Sequence, residues 1–164
     1  MSITLNLRVR ILALHRYLTS ANNLLLITIF VTLNFILSYL FSIVSFYISK
    51  KVFPEGIISF TSAVEALVMA VIVAPLLETL VFQLGIIETI KKKRSIFVAC
   101  LISALFFAVF HLYNAYYFAF TFVSGLMMAY LYCLKKSVIK GFVVTAGAHA
   151  CYNLLGFLLS RYLK

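Results

Sequence analysis

The sequence predicts an all-α fold, a polytopic bundle of about five membrane-crossing helices with an N-terminal interfacial segment, on three observations. Hydrophobic residues make up 65% of the 164-residue chain, against roughly 45–50% in an ordinary soluble domain. Mean hydropathy is +1.12. Charged residues amount to 11% and gather in short clusters, and the apolar runs between them exceed the ~18 residues at which a stretch reads as membrane-spanning. A water-soluble globule is excluded. At ~20 residues per crossing the chain accommodates at most about six spans, which leaves no room for a separate soluble domain.

Residues 1–23 form the interfacial segment, because Arg8, Arg10, His15 and Arg16 interrupt any signal-peptide core. A single transmembrane domain, residues 24–164, follows. Its first apolar run, 24–48, is closed by Lys50 and Lys51, and Pro54 and Gly56 then break helical continuation. The 34 residues from 57 to 90 would reach about 51 Å as one helix, more than a ~30 Å hydrocarbon core. Residues 57–61 are therefore placed at an interface and the second helix at 62–90, with Glu65 and Glu88 near opposite headgroup levels, Glu55 in the preceding loop and a kink expected at Pro75. The cluster 91–94 precedes a third helix at 96–111. After a short connection, the fourth occupies 116–134, with Gly125 and Ala129 as a small-residue packing face. The fifth is 138–160. Tyr113, Tyr116 and Tyr117 resemble an interfacial aromatic belt. The 16 phenylalanines read as lipid-facing and packing bulk. Cys100, Cys133 and Cys151 lie in apolar runs without metal-ligand spacing and read as buried packing residues.

The net charge of +10 would suggest a nucleic-acid partner in a soluble protein. Here it sets topology, and the partner is the lipid bilayer. Five crossings place Arg8, Arg10, Arg16, residues 91–94, Lys135, Lys136 and Lys140 on one side, ten basic residues of the 14. The positive-inside rule makes that side cytoplasmic, so this multi-pass protein of the cell membrane has its N-terminus in the cytoplasm.

Ionisable side chains within a span cost about 2.5–3.5 kcal/mol each by insertion scales, and those that remain usually mark function. Glu78 lies 13 residues from Lys91, His149 lies 13 from Lys136, and His111 lies 17 from Arg94, or about 20, 20 and 26 Å along their helices. One slab of the bilayer thus holds an acid and two imidazoles from three helices. Asn153 is one turn from His149 on the same face. A poorly solvated carboxylate holds a proton more readily than one in water, which suits a general base, and His and Asn can shuttle protons or stabilise an oxyanion. The set supports hydrolysis by an activated water without a Ser or Cys nucleophile. Each residue alone also fits a structural polar contact between helices.

These residues sit in three ordered strings. Ala74-Pro75-Leu76-Leu77-Glu78-Thr79-Leu80-Val81-Phe82-Gln83 resembles the E-E-x-x-x-R motif of the CAAX prenyl protease and bacteriocin-processing (CPBP, or Abi) family of intramembrane proteases. Phe107-Ala108-Val109-Phe110-His111 is similar to that family's F-x-x-x-H motif, and His149-Ala150-Cys151-Tyr152-Asn153 to its H-x-x-x-N motif. The resemblance covers residues 62–160. It implies that Glu78 and His111 activate the attacking water, that His149 and Asn153 hold the oxyanion, and that Phe107 packs beside the site. It also implies a glutamate-driven reaction without a metal cofactor, although Glu78, His111 and His149 could in principle bind zinc. Thr79 and Gln83 stand where the family has a second Glu and an Arg. Four residues apart, they share a helix face, and the reading is a neutral hydrogen-bonded pair in place of an intramembrane ion pair.

Two functions follow from this pattern. One is an endopeptidase acting on a prenylated or otherwise membrane-associated peptide or protein. The other is a non-catalytic membrane scaffold or bacteriocin-immunity protein of the same fold, which the exchange to Thr79 and Gln83 favours. A proton-coupled transporter is disfavoured by five short helices without an internal repeat. The topology is tested by single cysteines in a cysteine-free background: Lys93→Cys is expected to react with an impermeant maleimide only after the cells are opened, and Lys50→Cys in intact cells.

Overall fold

The computed structural model describes residues 3–50 and 61–162, which form six helices. They are α1 (Ile3–Ser20), α2 (Asn23–Ser49), α3 (Ala63–Ile90), α4 (Ile96–Val109), α5 (Ala115–Cys133) and α6 (Val138–Tyr162). The expected turn at 53–56, with Glu55, and the stretch 57–60 lie outside the described residues.

Side-chain caps start most of these helices, since the first N–H groups of a helix have no intrahelical acceptor. Asn22 accepts from the Leu25 N–H, Ser95 from Val98 and Asn114 from Tyr117. Ser62 caps α3 by accepting from the Glu65 N–H, while the Glu65 carboxylate accepts from both the backbone and the hydroxyl of Thr61. Lys50 ends α2 in the left-handed region, φ 56°, with its N–H on the Phe46 carbonyl.

Four helices, α2, α3, α5 and α6, are long and apolar enough to cross a membrane. The fifth expected crossing, α4, has only 14 residues, about 21 Å of helix. It stops at Val109, and His111 falls in the turn beyond it rather than on the helix. Leu112 and Asn114 supply no continuing ladder, and Asn114 instead caps α5.

α5 is the central helix, with 44% of its apolar window buried against 22%, 22% and 28% for α2, α3 and α6. Gly125 lets it meet α4 closely, since a Cβ there would lie 3.1 Å from Ala104 Cα and from Phe107 Cδ1. Ala129 is fully buried with Ile87, Ala99 and Tyr132, so both small residues of the expected face are packing positions. On its other side α5 meets α2, where Ser124 donates to Asn34 Oδ1 at 2.6 Å and Asn34 Nδ2 donates to the Phe30 carbonyl. Leu26, Phe30 and Val31 of α2 share one core cluster with Leu131, Leu134, Val144 and Ala148. α1 closes the basic end of the bundle: His15 Nδ1 lies 2.9 Å from Tyr130 Oη, Leu18 packs on this core, and Lys135 Nζ donates to the Ala21 carbonyl.

α3 contains two π-helical stretches, Met69–Val73 and Thr79–Ile86, around Pro75. In a π turn the bonding runs i→i+5, and such turns concentrate at functional sites. The expected irregularity at Pro75 is thus a widening on both sides of it.

Phenylalanines divide as expected, with Phe30, Phe82, Phe107 and Phe120 buried and Phe97, Phe106 and Phe110 exposed on the bundle's outer face. One cysteine expectation is corrected. Cys151 is exposed, while Cys100 and Cys133 are half-buried with their Sγ atoms 3.7 Å apart between α4 and α5. A thiol is apolar enough to face lipid as readily as protein, so hydropathy does not assign its side.

A tight approach joins α6 to α5 at Gly141, where a Cβ would fall 2.7 Å from the Tyr132 carbonyl oxygen. Gly141→Ala is expected to destabilise the bundle by about 1–3 kcal/mol through overpacking. Gly156→Ala, with nothing within 4 Å of its added carbon, is expected to be neutral or stabilising by up to about 1 kcal/mol. Thermal unfolding in detergent checks both.

Candidate active site

Glu78 stands in the second half of α3 with its two carboxylate oxygens facing two imidazoles. Oε1 lies 3.7 Å from His111 Nε2 and Oε2 lies 3.7 Å from His149 Nε2. The three groups expected at one depth therefore do meet, although one arrives from a turn. The side chains are 24%, 17% and 9% exposed for Glu78, His111 and His149, so the centre is open on the Glu78 side and closed behind His149.

Local bonding orients each ring. His111 Nδ1 lies 2.7 Å from the Phe107 carbonyl oxygen, an acceptor only, so Nδ1 carries the proton and Nε2 of the neutral ring turns a lone pair toward Glu78. His149 is buried, and its Nδ1 has no hydrogen-bond partner among the described residues. Phe107 fills the angle between the rings, 4.4 Å from the His111 centroid and 6.0 Å, edge to face, from that of His149, and it packs on Phe82 at 5.6 Å. Separations of 3.7 Å are too long for direct hydrogen bonds and suit a bridging water or substrate atom.

Asn153 is one turn beyond His149, and its Nδ2 donates to the Ala70 carbonyl at 2.8 Å. The cause lies in α3. The Ala74 N–H is taken by Met69, and the next residue that could reach Ala70 in a π turn is Pro75, which has no N–H. Ala70 is left with a free carbonyl, and Asn153 satisfies it from α6. One N–H of the amide remains for another acceptor.

Thr79 and Gln83 correct an expectation. They are fully buried but make no bond to each other: Thr79 Oγ1 and both polar atoms of Gln83 have no partner among the described residues. The π turns of Thr79–Ile86 explain this, since residues four apart stack on an α-helix and lose that alignment when the turn widens. Glu65 and Glu88 lie in the first and last turns of α3, away from the centre, with Glu88 held by Lys91 and by the Tyr132 hydroxyl.

One residue at the site escaped the sequence. Tyr117, read as part of an interfacial belt, stacks 6.4 Å from His111 and 5.1 Å from Tyr113. The single usable signal was its distance from His111, six residues across a turn.

A family model described as type II CAAX prenyl endopeptidase Rce1-like matches residues 59–155. The chain belongs to this family. The matched region begins just ahead of the α3 cap and ends two residues past Asn153, so it spans α3, α4, α5 and the first part of α6 and contains the positions of the site residues named above, while α1 and α2 precede it. No curated protein and no solved structure matches the chain.

The geometry makes Asn153 a clasp between α6 and α3. Asn153→Leu is expected to lower stability by about 1–3 kcal/mol, the usual consequence of stranding a carbonyl away from water, here a half-buried one, measured by thermal unfolding in detergent.

Proposed function

We propose that this member of the Rce1-like family is an intramembrane endopeptidase, hydrolysing a peptide bond of a prenylated or other membrane-associated substrate with a water activated by Glu78. The observation that carries the reading is the pair of 3.7 Å gaps between one carboxylate and two imidazole Nε2 atoms. A water beside Glu78 and His111 donates one O–H to each. As its oxygen bonds to the substrate carbonyl carbon, Glu78 takes the proton. The carbonyl oxygen becomes an oxyanion, which accepts from His149 Nε2–H and from the free N–H of Asn153. Glu78 then returns the proton to the leaving nitrogen, the C–N bond breaks, and carboxylic acid and amine products separate. Phe107 keeps both rings in place.

No step in this scheme needs a metal. Glu78, His111 and His149 are also the donors that a zinc ion would use. The protein is read as multi-pass in the cell membrane with its basic end, where α1 docks, on the cytoplasmic face.

A second reading, a non-catalytic scaffold or immunity protein, is favoured by Thr79 and Gln83 in place of two charges. One experiment separates the two. Purified protein in detergent is incubated with a prenylated C-terminal peptide and with membrane-protein extracts, and Glu78→Gln is compared with the unsubstituted chain. Loss of about 10²–10⁴-fold in cleavage is expected, the range for a removed general base. Equal product from both proteins, or none from either, supports the scaffold. Cleavage is expected to survive a zinc chelator, and its loss would assign the chemistry to a metal.

A further inference from the structure

At the basic end of the chain, the four helices of the family-matched region meet around a cavity of about 110 Å³. Lys91 borders it just past α3, Ile96 lines it from the start of α4, Tyr132 and Cys133 from the last turn of α5, and Val138 from the start of α6. That volume is several times the ~30 Å³ share of one water in the liquid, enough for a group of a few heavy atoms. Helices that cross a bilayer begin and end at its headgroup layer, and the cavity lies at that depth.

Charge around it is unbalanced. Residues 88–94 and 135–140 carry seven lysines and arginines and a single carboxylate, Glu88. Glu88 lines the cavity but is already engaged, by Lys91 and by the Tyr132 hydroxyl at 2.9 Å. Lys135 and Lys136 line it as well. Lys135 Nζ donates to the Ala21 carbonyl, a neutral acceptor that leaves its charge in place. Lys136 is exposed and makes no ion pair among the described residues. The starts of α4 and α6 add the positive ends of two helix dipoles.

The rim of the cavity is apolar. Ile96 and Val138 are exposed, and so are Phe97 and Ile139 beside them. A positive recess bordered by exposed hydrocarbon fits a molecule with an anionic head and apolar tails better than it fits a free ion. The anions met at this depth in a membrane are lipid phosphates, and basic pockets between membrane helices bind such headgroups.

We propose that this cavity binds the phosphate of an anionic phospholipid, with Lys136 as its direct cation, Lys135 as a supporting charge and the acyl chains lying over Ile96, Phe97 and Ile139. Seated there, one headgroup ties the corner between α3 and α4 to the corner between α5 and α6. The assignment is independent of the peptidase reading, since Glu78, His111 and His149 do not line this cavity.

Cys133 reports on occupancy because it lines the cavity, while exposed Cys151, 13 residues along α6 from Val138, does not. The full-length protein is placed in nanodiscs of phosphatidylcholine alone or with increasing phosphatidylglycerol, and both thiols are labelled with methyl methanethiosulfonate. Phosphatidylglycerol is expected to slow labelling of Cys133 several-fold and to leave Cys151 unchanged. Lys136→Gln is expected to raise the phosphatidylglycerol fraction needed by about fivefold, the usual weight of one lysine at an anionic surface. Lys140→Gln, outside the cavity, is expected to move it by less than about twofold, since salt screens a more distant charge. Equal Cys133 rates with and without phosphatidylglycerol would overturn the proposal. Equal shifts in the two variants would overturn it too, because they would mean diffuse attraction to the surface. Inorganic phosphate that protects Cys133 equally well in phosphatidylcholine alone would overturn the lipid assignment in favour of a free anion. The lipid comparison uses the unsubstituted chain, so it decides the matter even where a variant fails to fold.

Discussion

The bond from Asn153 to the Ala70 carbonyl is the constraint from which the arrangement of the centre follows. It exists because Pro75 cannot donate, so a carbonyl inside a membrane-spanning helix would otherwise be stranded in hydrocarbon, at several kcal/mol. Meeting that need from α6 fixes the relative height of two antiparallel helices. With that height fixed, His149, one turn along α6, and Glu78, beyond the proline on α3, come level. The proline of the first motif and the asparagine of the third are thus two halves of one contact. His111 reaches the same point by another route, on a turn oriented by the Phe107 carbonyl.

The two sides of the bundle handle buried polarity differently. Between α2 and α5, Asn34 and Ser124 complete one another and leave nothing over. Between α3, α4 and α6 the polar side chains are close in level but do not pair. A neutral layer of this kind avoids the desolvation penalty of an ion pair in the bilayer, and it occupies the position where the family motif carries a glutamate and an arginine. The paired polar contact thus lies on the α2 side, and the unpaired polar layer lies on the α3 side that also carries Glu78.

Much of this was legible in the sequence, for a physical reason. Membrane helices reduce structure to depth, and depth is a count of residues from the nearest basic cluster. Counting placed Glu78, His111 and His149 at one level and gave the bounds of α2, α3, α5 and α6 to within about two residues. Counting fails where the backbone leaves the regular helix. The early stop of α4 moved His111 onto a turn, and the π turns separated Thr79 from Gln83. The partner of Asn153 was hidden as well, since a backbone carbonyl has no signature in the amino-acid string. Azimuth is the other blind spot: Cys151 faces outward and Tyr117 inward, and hydropathy is the same for both orientations in a membrane.

The shortness of α4 has a consequence for the lipid around it. About 21 Å of helix cannot match a hydrocarbon layer of about 30 Å, and a short span is accommodated by thinning of the bilayer or by tilt. If α4 crosses, the corner after it, with Phe110 and Leu112 exposed, would draw the headgroups inward on the flank where His111 meets Glu78. A dimple of that kind would bring bulk solvent nearer to the Glu78 centre and, for the peptidase proposed above, would shorten the journey of a polar peptide backbone arriving from the rim.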